Sequence, residues 1–157
     1  MYPIVLAEQL PESNIKTMDI SHQALEIAEN NAHGNEVKVD FIHQDVLELE
    51  EFTSSFDIIV SNPPYVREKE KKQMSDNVLK HEPSLALFVS DEEPLIFYNH
   101  IARLAFKSLR SDGSLYFEIN QYMGEALLKV LVDLGFKNVQ IKKDIFGADR
   151  MIRAKKN

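Results

Sequence analysis

The sequence predicts an α/β fold, an open sheet with helices on both faces that finishes in an antiparallel hairpin. Short strand-like runs alternate with stretches of helical periodicity along the chain, the pattern of strand–helix–strand units. The run "FDIIVSNPPYV", residues 56–66, reads as a strand buried on both faces that stops at two prolines, which cannot donate to a sheet ladder. The last two runs, "KNVQIKKD" and "DRMIRAK", are joined by a few residues including Gly147, so they can pair only antiparallel.

Each element has its own local reason. Ile4 to Leu10 has the character of a helix's last turns, ended by Pro11. "NIKTMD" is a short strand ending at Asp19. Ser21 then caps a helix that carries Ala24, Leu25 and Ala28 on one face and closes at Gly34. "VKVDFIHQD" alternates Val37, Val39 and Phe41 with polar residues, a second strand ending at Asp45. After Tyr65 the segment "REKEKKQMSDNVLKHEP" is charged and aperiodic, which suits either a solvated face or a mobile covering loop. Asp91, Glu92 and Glu93 before Pro94 open a helix with Phe97, Tyr98, Ile101, Leu104 and Ala105 inward. A strand, "GSLYFEIN", starts at Gly113. Met123, Ala126, Leu127, Val130, Leu131 and Leu134 then follow helical spacing until Gly135 stops the helix.

Composition bounds the function. The 157 residues are 44% hydrophobic, enough for one domain with its own core. A formal charge of −7 offers no broad basic surface to neutralise phosphates, which argues against direct nucleic-acid binding. There is no cysteine, so disulfides and thiolate metal sites are excluded; the histidines lack ligand spacing, and no metal is expected. No apolar stretch has the length of a membrane span, and "MYPIVLAEQLPES" lacks the basic flank and cleavage site of a signal peptide. The expectation is a cytoplasmic protein with no membrane partner.

The proline-ended strand suggests the chemistry. Ligands of open parallel sheets bind at the strands' carboxyl ends, where a rigid loop holds an Asn side chain and backbone carbonyls in fixed directions. Such a loop suits group transfer to a planar NH2 nitrogen. Asn62 and the Pro63 carbonyl can each accept one N–H, Pro64 stiffens the corner, and the Tyr65 ring can pack against the planar group. Orientation and hydrogen bonding then do the catalysis, without a strong base. Asp19 and Asp45 close two other strands, where acids accept hydrogen bonds from a ribose or an adenine amine; the three strand ends are expected to face one crevice. Glu118, near a fourth strand end, is a weaker candidate for reaching the site.

The segments "MDIS", "HQD", "SNPPYV", "HEPSLALF", "FEIN" and "KDIFGADRMIRA", in this order and spacing, resemble the catalytic domain of HemK-type protein-glutamine N5-methyltransferases, which modify peptide-chain release factors. The resemblance covers essentially the whole chain. "NPPY" by itself is shared with DNA adenine-N6 methyltransferases; "EPSLALF" and "KDIFGADR" point to the glutamine branch. It implies a class I S-adenosylmethionine-dependent, Rossmann-like fold. Asp19 would bind the cofactor ribose, and Asp45 with Val46 would lie around the adenine. Asn62 and Tyr65 would be catalytic, and Asn62, Pro63, Pro64 and Tyr65 would hold the target glutamine amide. The methyl group would pass to the amide nitrogen, leaving S-adenosylhomocysteine, with a release factor as protein partner.

The chain departs from the family pattern in one respect. Family members carry a first strand and a Gly-rich loop against the cofactor's methionine part, and a helical N-terminal domain. Here Gly34, Gly113, Gly124, Gly135 and Gly147 are scattered. The expectation is a methyltransferase catalytic domain over residues 1–157, N-terminally truncated, with its first strand missing. Two inner sheet edges would then be unpaired, cofactor binding by these residues alone would be weak, and copies would self-associate through the edges. Two alternatives stay open. A DNA adenine-N6 methyltransferase would use the same loop on a flipped base, against which the charge and short chain weigh. A non-catalytic methyltransferase-like binding module fits the scattered glycines, but not the complete Asn-Pro-Pro-Tyr tetrapeptide.

Overall fold

A computed structural model describes residues 2–67 and 88–157, so the charged run at 68–83 and the "HEPSLAL" part of its neighbouring motif lie outside the described residues. The chain divides into two compact units, Met1–Leu49 and Glu50–Asn157.

In the first unit, α1 (Tyr2–Gln9) packs on α2 (His22–Gly34), and α2 lies against a two-stranded parallel sheet of β1 (Lys16–Asp19) and β2 (Asp40–His43). Ser21 caps α2 as its sequence position requires, its hydroxyl accepting from the Ala24 amide at 3.2 Å. Leu25 and Ala32 are the buried residues of α2, whereas Ala24 is exposed. β2 is shorter than its alternating pattern: it stops at His43, and Asp45 caps a 3-10 turn, Val46–Glu48. The Asp45 carboxylate draws the chain out of the ladder by accepting the Leu47 amide at 2.9 Å. Among the described residues β1 pairs with β2 alone.

In the second unit, β3 (Phe56–Ser61), β6 (Leu109–Glu118), β8 (Asp149–Lys155) and β7 (Lys137–Lys143) form a sheet in the order β3-β6-β8-β7. β3 and β6 are parallel; β6–β8 and β7–β8 are antiparallel, so the C-terminal hairpin forms as its short connection demands. The two-residue strands β4 (Val66–Arg67) and β5 (Phe88–Val89) pair parallel beside it in sequence. Helix α3 (Ile96–Ser108) packs on β6, and α4 (Gly124–Asp133) packs on β7, β8 and α3.

Register explains where the core sits. Leu115 pairs with Ala154 and Phe117 with Ile152, so all four share one face, and all are at most 1% exposed. Tyr98 of α3 meets Phe117 edge-on at 5.1 Å, and Phe106 meets Phe136 the same way at 5.1 Å. The opposite face carries Val60 level with Tyr116 and Arg153. Here the structure corrects the reading of β3 as buried on both faces: Ile58 and Val60 are 56% and 51% exposed. The apolar run specified a strand, but side chains alternate across it, and among the described residues the helices of this unit cover only the face of Ile59 and Leu115. Among the described residues β3 pairs with β6 alone.

Two boundaries and one burial pattern also differ. α3 begins at Ile96 with no side-chain cap, two residues after Pro94, and Phe97 is only half-buried. β6 begins before Gly113, at a bulge where Asp112 has φ +65 and a Cβ on Gly113 would lie 2.8 Å from the Arg110 carbonyl oxygen. In α4, Leu127 and Leu131 are buried while Ala126 faces solvent.

Candidate functional site

The loop Asn62–Tyr65 leaves the carboxyl end of β3, which parallel pairing sets level with the end of β6: Ser61 is opposite Phe117. Asn62 is exposed, Pro63 is buried, and Pro64 and Tyr65 are half-buried. The corner is thus anchored through Pro63 while the Asn62 amide stays in contact with solvent. Two prolines fix φ at adjacent positions, so little conformational entropy remains to be lost when a ligand binds.

Tyr65 is held at both ends. Its carbonyl accepts from Asn120 Nδ2 at 3.0 Å, and Asn120 Oδ1 in turn accepts the Tyr122 amide at 3.0 Å. Its hydroxyl donates to Glu118 Oε1 at 2.9 Å. Burial first, then the hydrogen bond and the negative charge of Glu118, push the Tyr65 phenol up to about 12, so it remains a neutral donor at physiological pH. The Glu118 carbonyl accepts from the hydroxyl of Tyr98, a fully buried α3 residue whose phenol burial pushes far above its usual range.

The C-terminal hairpin adds charge to this cluster. Arg150 Nη1 lies 4.0 Å from Glu118 Oε1, and its Nη2 donates to Asp144 Oδ2 at 3.4 Å. Asp144 Oδ1 also accepts the amides of Phe146 and Ala148, closing the turn between β7 and β8. Desolvation opposes ionisation of Asp144, but these two amides and Arg150 outweigh it and hold the carboxyl below its ordinary range. Desolvation likewise opposes the Arg150 charge, which Tyr65, Asp144 and Glu118 together restore, raising its pKa.

In the first unit, Asp19 and Asp45 both lie at the carboxyl edge of the parallel pair, where Asp19 is opposite His43. Each uses one carboxylate oxygen locally: Asp19 Oδ1 accepts the Ser21 amide at 2.8 Å, and Asp45 Oδ1 the Leu47 amide. His43 Nε2 bonds the Ile20 carbonyl at 2.8 Å and ties the two strand ends together. Asp19 is exposed; Asp45 and Val46 are half-buried. Among the described residues there is no group of three or more His, Cys, Asp or Glu suited to a metal ion, and no helix is long and apolar enough to cross a membrane.

Sequence reasoning did not single out Asn120, Asp144 or Arg150, placed Tyr98 only as a buried residue of its helix, and gave Glu118 a low chance of reaching the site. Their signal was the chemistry of "FEIN" and "KDIFGADR", polar groups set at a strand end and in a hairpin turn, but their convergence on Tyr65 is tertiary.

The pattern of the methyltransferase small domain matches residues 2–86. Over 150 residues, 96% of this chain, the sequence is 50% identical to a release factor glutamine methyltransferase of Flavobacterium psychrophilum. It is 47% identical over 152 residues to the protein of that name in Bacteroides thetaiotaomicron. These alignments span 53% and 55% of the relatives, so the chain spans about half the length of the curated relatives it matches. Among solved structures, a methyltransferase from Pyrococcus furiosus superposes with a TM-score of 0.69 over 98% of this chain and 68% of its own, at 16% identity. TrmN from Thermus thermophilus gives 0.69 over 98% of this chain and 40% of its own, at 21% identity. These likenesses show the class I methyltransferase fold.

Proposed function

We propose a function from the premise that the chain belongs to the methyltransferase small domain family. Residues 1–157 act as a methyltransferase catalytic domain that methylates the side-chain amide nitrogen of a glutamine in a peptide-chain release factor, in the cytoplasm. The observation that carries this is the 50% identity, over nearly the whole chain, to a protein named for that reaction. The exposed Asn62 amide on a proline-stiffened strand end supports it.

When bound, S-adenosylmethionine supplies an electrophilic methyl group and is left as S-adenosylhomocysteine. Asp19 is suited to the ribose, being an exposed carboxylate at a strand's carboxyl end with one oxygen engaged by Ser21. Asp45 and Val46, half-buried beside it, are suited to the adenine. The residues present fit the group as far as the nucleoside. Asn62 Oδ1 and the Pro63 carbonyl accept the two amide N–H groups, which removes rotation about the nitrogen and raises its electron density. The Tyr65 ring closes over the planar amide. The N–H proton becomes strongly acidic only as the new N–C bond forms and then passes to solvent water, so no residue is required as a strong base.

Incubation with radiolabelled cofactor and, separately, a release factor, the factor with its glutamine replaced, and duplex DNA tests the reading. Label in the intact release factor alone is expected; label in DNA would instead support adenine methylation. With scattered glycines, cofactor affinity is expected to be weak, so the assay is run at high cofactor concentration; a thermal shift of several degrees with S-adenosylhomocysteine would contradict the weak binding.

A further inference from the structure

We infer that Glu118 is a positioning residue that, with Arg150 and Asp144 behind it, sets the orientation of the Tyr65 ring at the end of β3. The inference rests on the reading of Asn62–Tyr65 as an amide-holding loop. A tyrosine has two side-chain torsions, and the hydrogen bond from its hydroxyl to Glu118 Oε1 at 2.9 Å fixes both once the backbone is held. Asn120 holds that backbone through the Tyr65 carbonyl. Glu118 is itself located twice, by the buried Tyr98 hydroxyl on its carbonyl and by Arg150 Nη1 at 4.0 Å from its carboxylate. Asp144, whose turn carries an exposed Ile145 and Phe146, holds Arg150 through Nη2.

The arrangement has a chemical consequence. A phenol already donating to a carboxylate is not available to donate to a substrate carbonyl, so Tyr65 acts through its ring face and not through its hydroxyl. Removing the hydroxyl or its acceptor should therefore cause the same defect, a ring free to rotate about its first torsion. Orientation effects of this kind are worth roughly tenfold or more in rate.

The test uses the full chain carrying 13C-labelled tyrosine rings, with the Tyr65 signal assigned from Y65F. In E118A the Tyr65 ring signal is expected to shift and broaden, while in E118Q, which keeps an acceptor oxygen, it stays close to the wild-type position. A Tyr65 signal unmoved in E118A overturns the inference, whatever the activity. Methyl transfer gives the second arm. E118A and Y65F each lower kcat about tenfold with the KM for cofactor unchanged, E118Q restores most of the loss, and the double variant Y65F/E118A is no worse than Y65F alone. Losses that multiply overturn the inference. A wild-type chain that methylates no glutamine overturns the proposed function instead, and the ring signal still decides the positioning role.

Discussion

Asn62 and Tyr65 occupy one loop but depend on different physics. Asn62 is exposed and, in the function proposed, holds the substrate amide without supporting the fold. N62A is therefore expected to lower kcat by about a hundredfold or more, the scale of losing a well-placed polar contact, while the unfolding midpoint shifts by no more than a surface substitution does. Tyr65 is half-buried and bonded at both ends, so it contributes to stability as well. Its folded pKa of about 12 lies above the unfolded value of 10, so this contribution is complete below pH 10 and is lost as pH rises toward 12. Urea unfolding at pH 8, 10 and 11 should show wild type losing stability more steeply over the last interval than Y65F, which has no proton to lose there. The residue types at this corner were legible because asparagine, proline and tyrosine have few chemical alternatives at a strand end. The partners of Tyr65 were not, because Glu118 and Asn120 lie 53 and 55 positions away in the chain.

At the scale of the element, helical spacing located α4 but overstated its buried face. Six residues fit the period, yet burial is confined to Gly124, Leu127 and Leu131, because a helix on a sheet surface hides a stripe narrower than its whole apolar arc. L131A should destabilise the protein by about 2 to 5 kcal/mol in chemical denaturation, and A126S by less than about 0.5 kcal/mol; comparable losses would mean that the helix is rotated. The β7–β8 hairpin was readable from its short connection, since only antiparallel strands can be joined so closely. The end of β2 was not, because Asp45 competes for the backbone by capping a turn, an outcome alternation cannot foresee.

Over the whole molecule, the largest difference from the sequence reading lies in the sheet. β1 and β3 each pair on one side only among the described residues, and the open face of β3 leaves Ile58 and Val60 more than half exposed. We propose that copies associate through these edges, because an open sheet edge beside apolar side chains pairs readily with another chain. Light scattering is expected to show a concentration-dependent rise in mass for the wild type and a smaller one for I58K/V60K; a strictly monomeric wild type would end that expectation. The sequence by itself determined the identities of β1, β2, β3, β6, β7 and β8 and of the described helices, the hairpin and the tetrapeptide at the end of β3, because each follows from local steric and hydrogen-bonding rules; it did not foresee β4 and β5. Only the tertiary structure decided which face of each strand is covered and which distant groups, Glu118, Asn120 and Arg150, converge on Tyr65. Those outcomes depend on sheet register and helix placement, which sum over many weak contacts that no local stretch encodes.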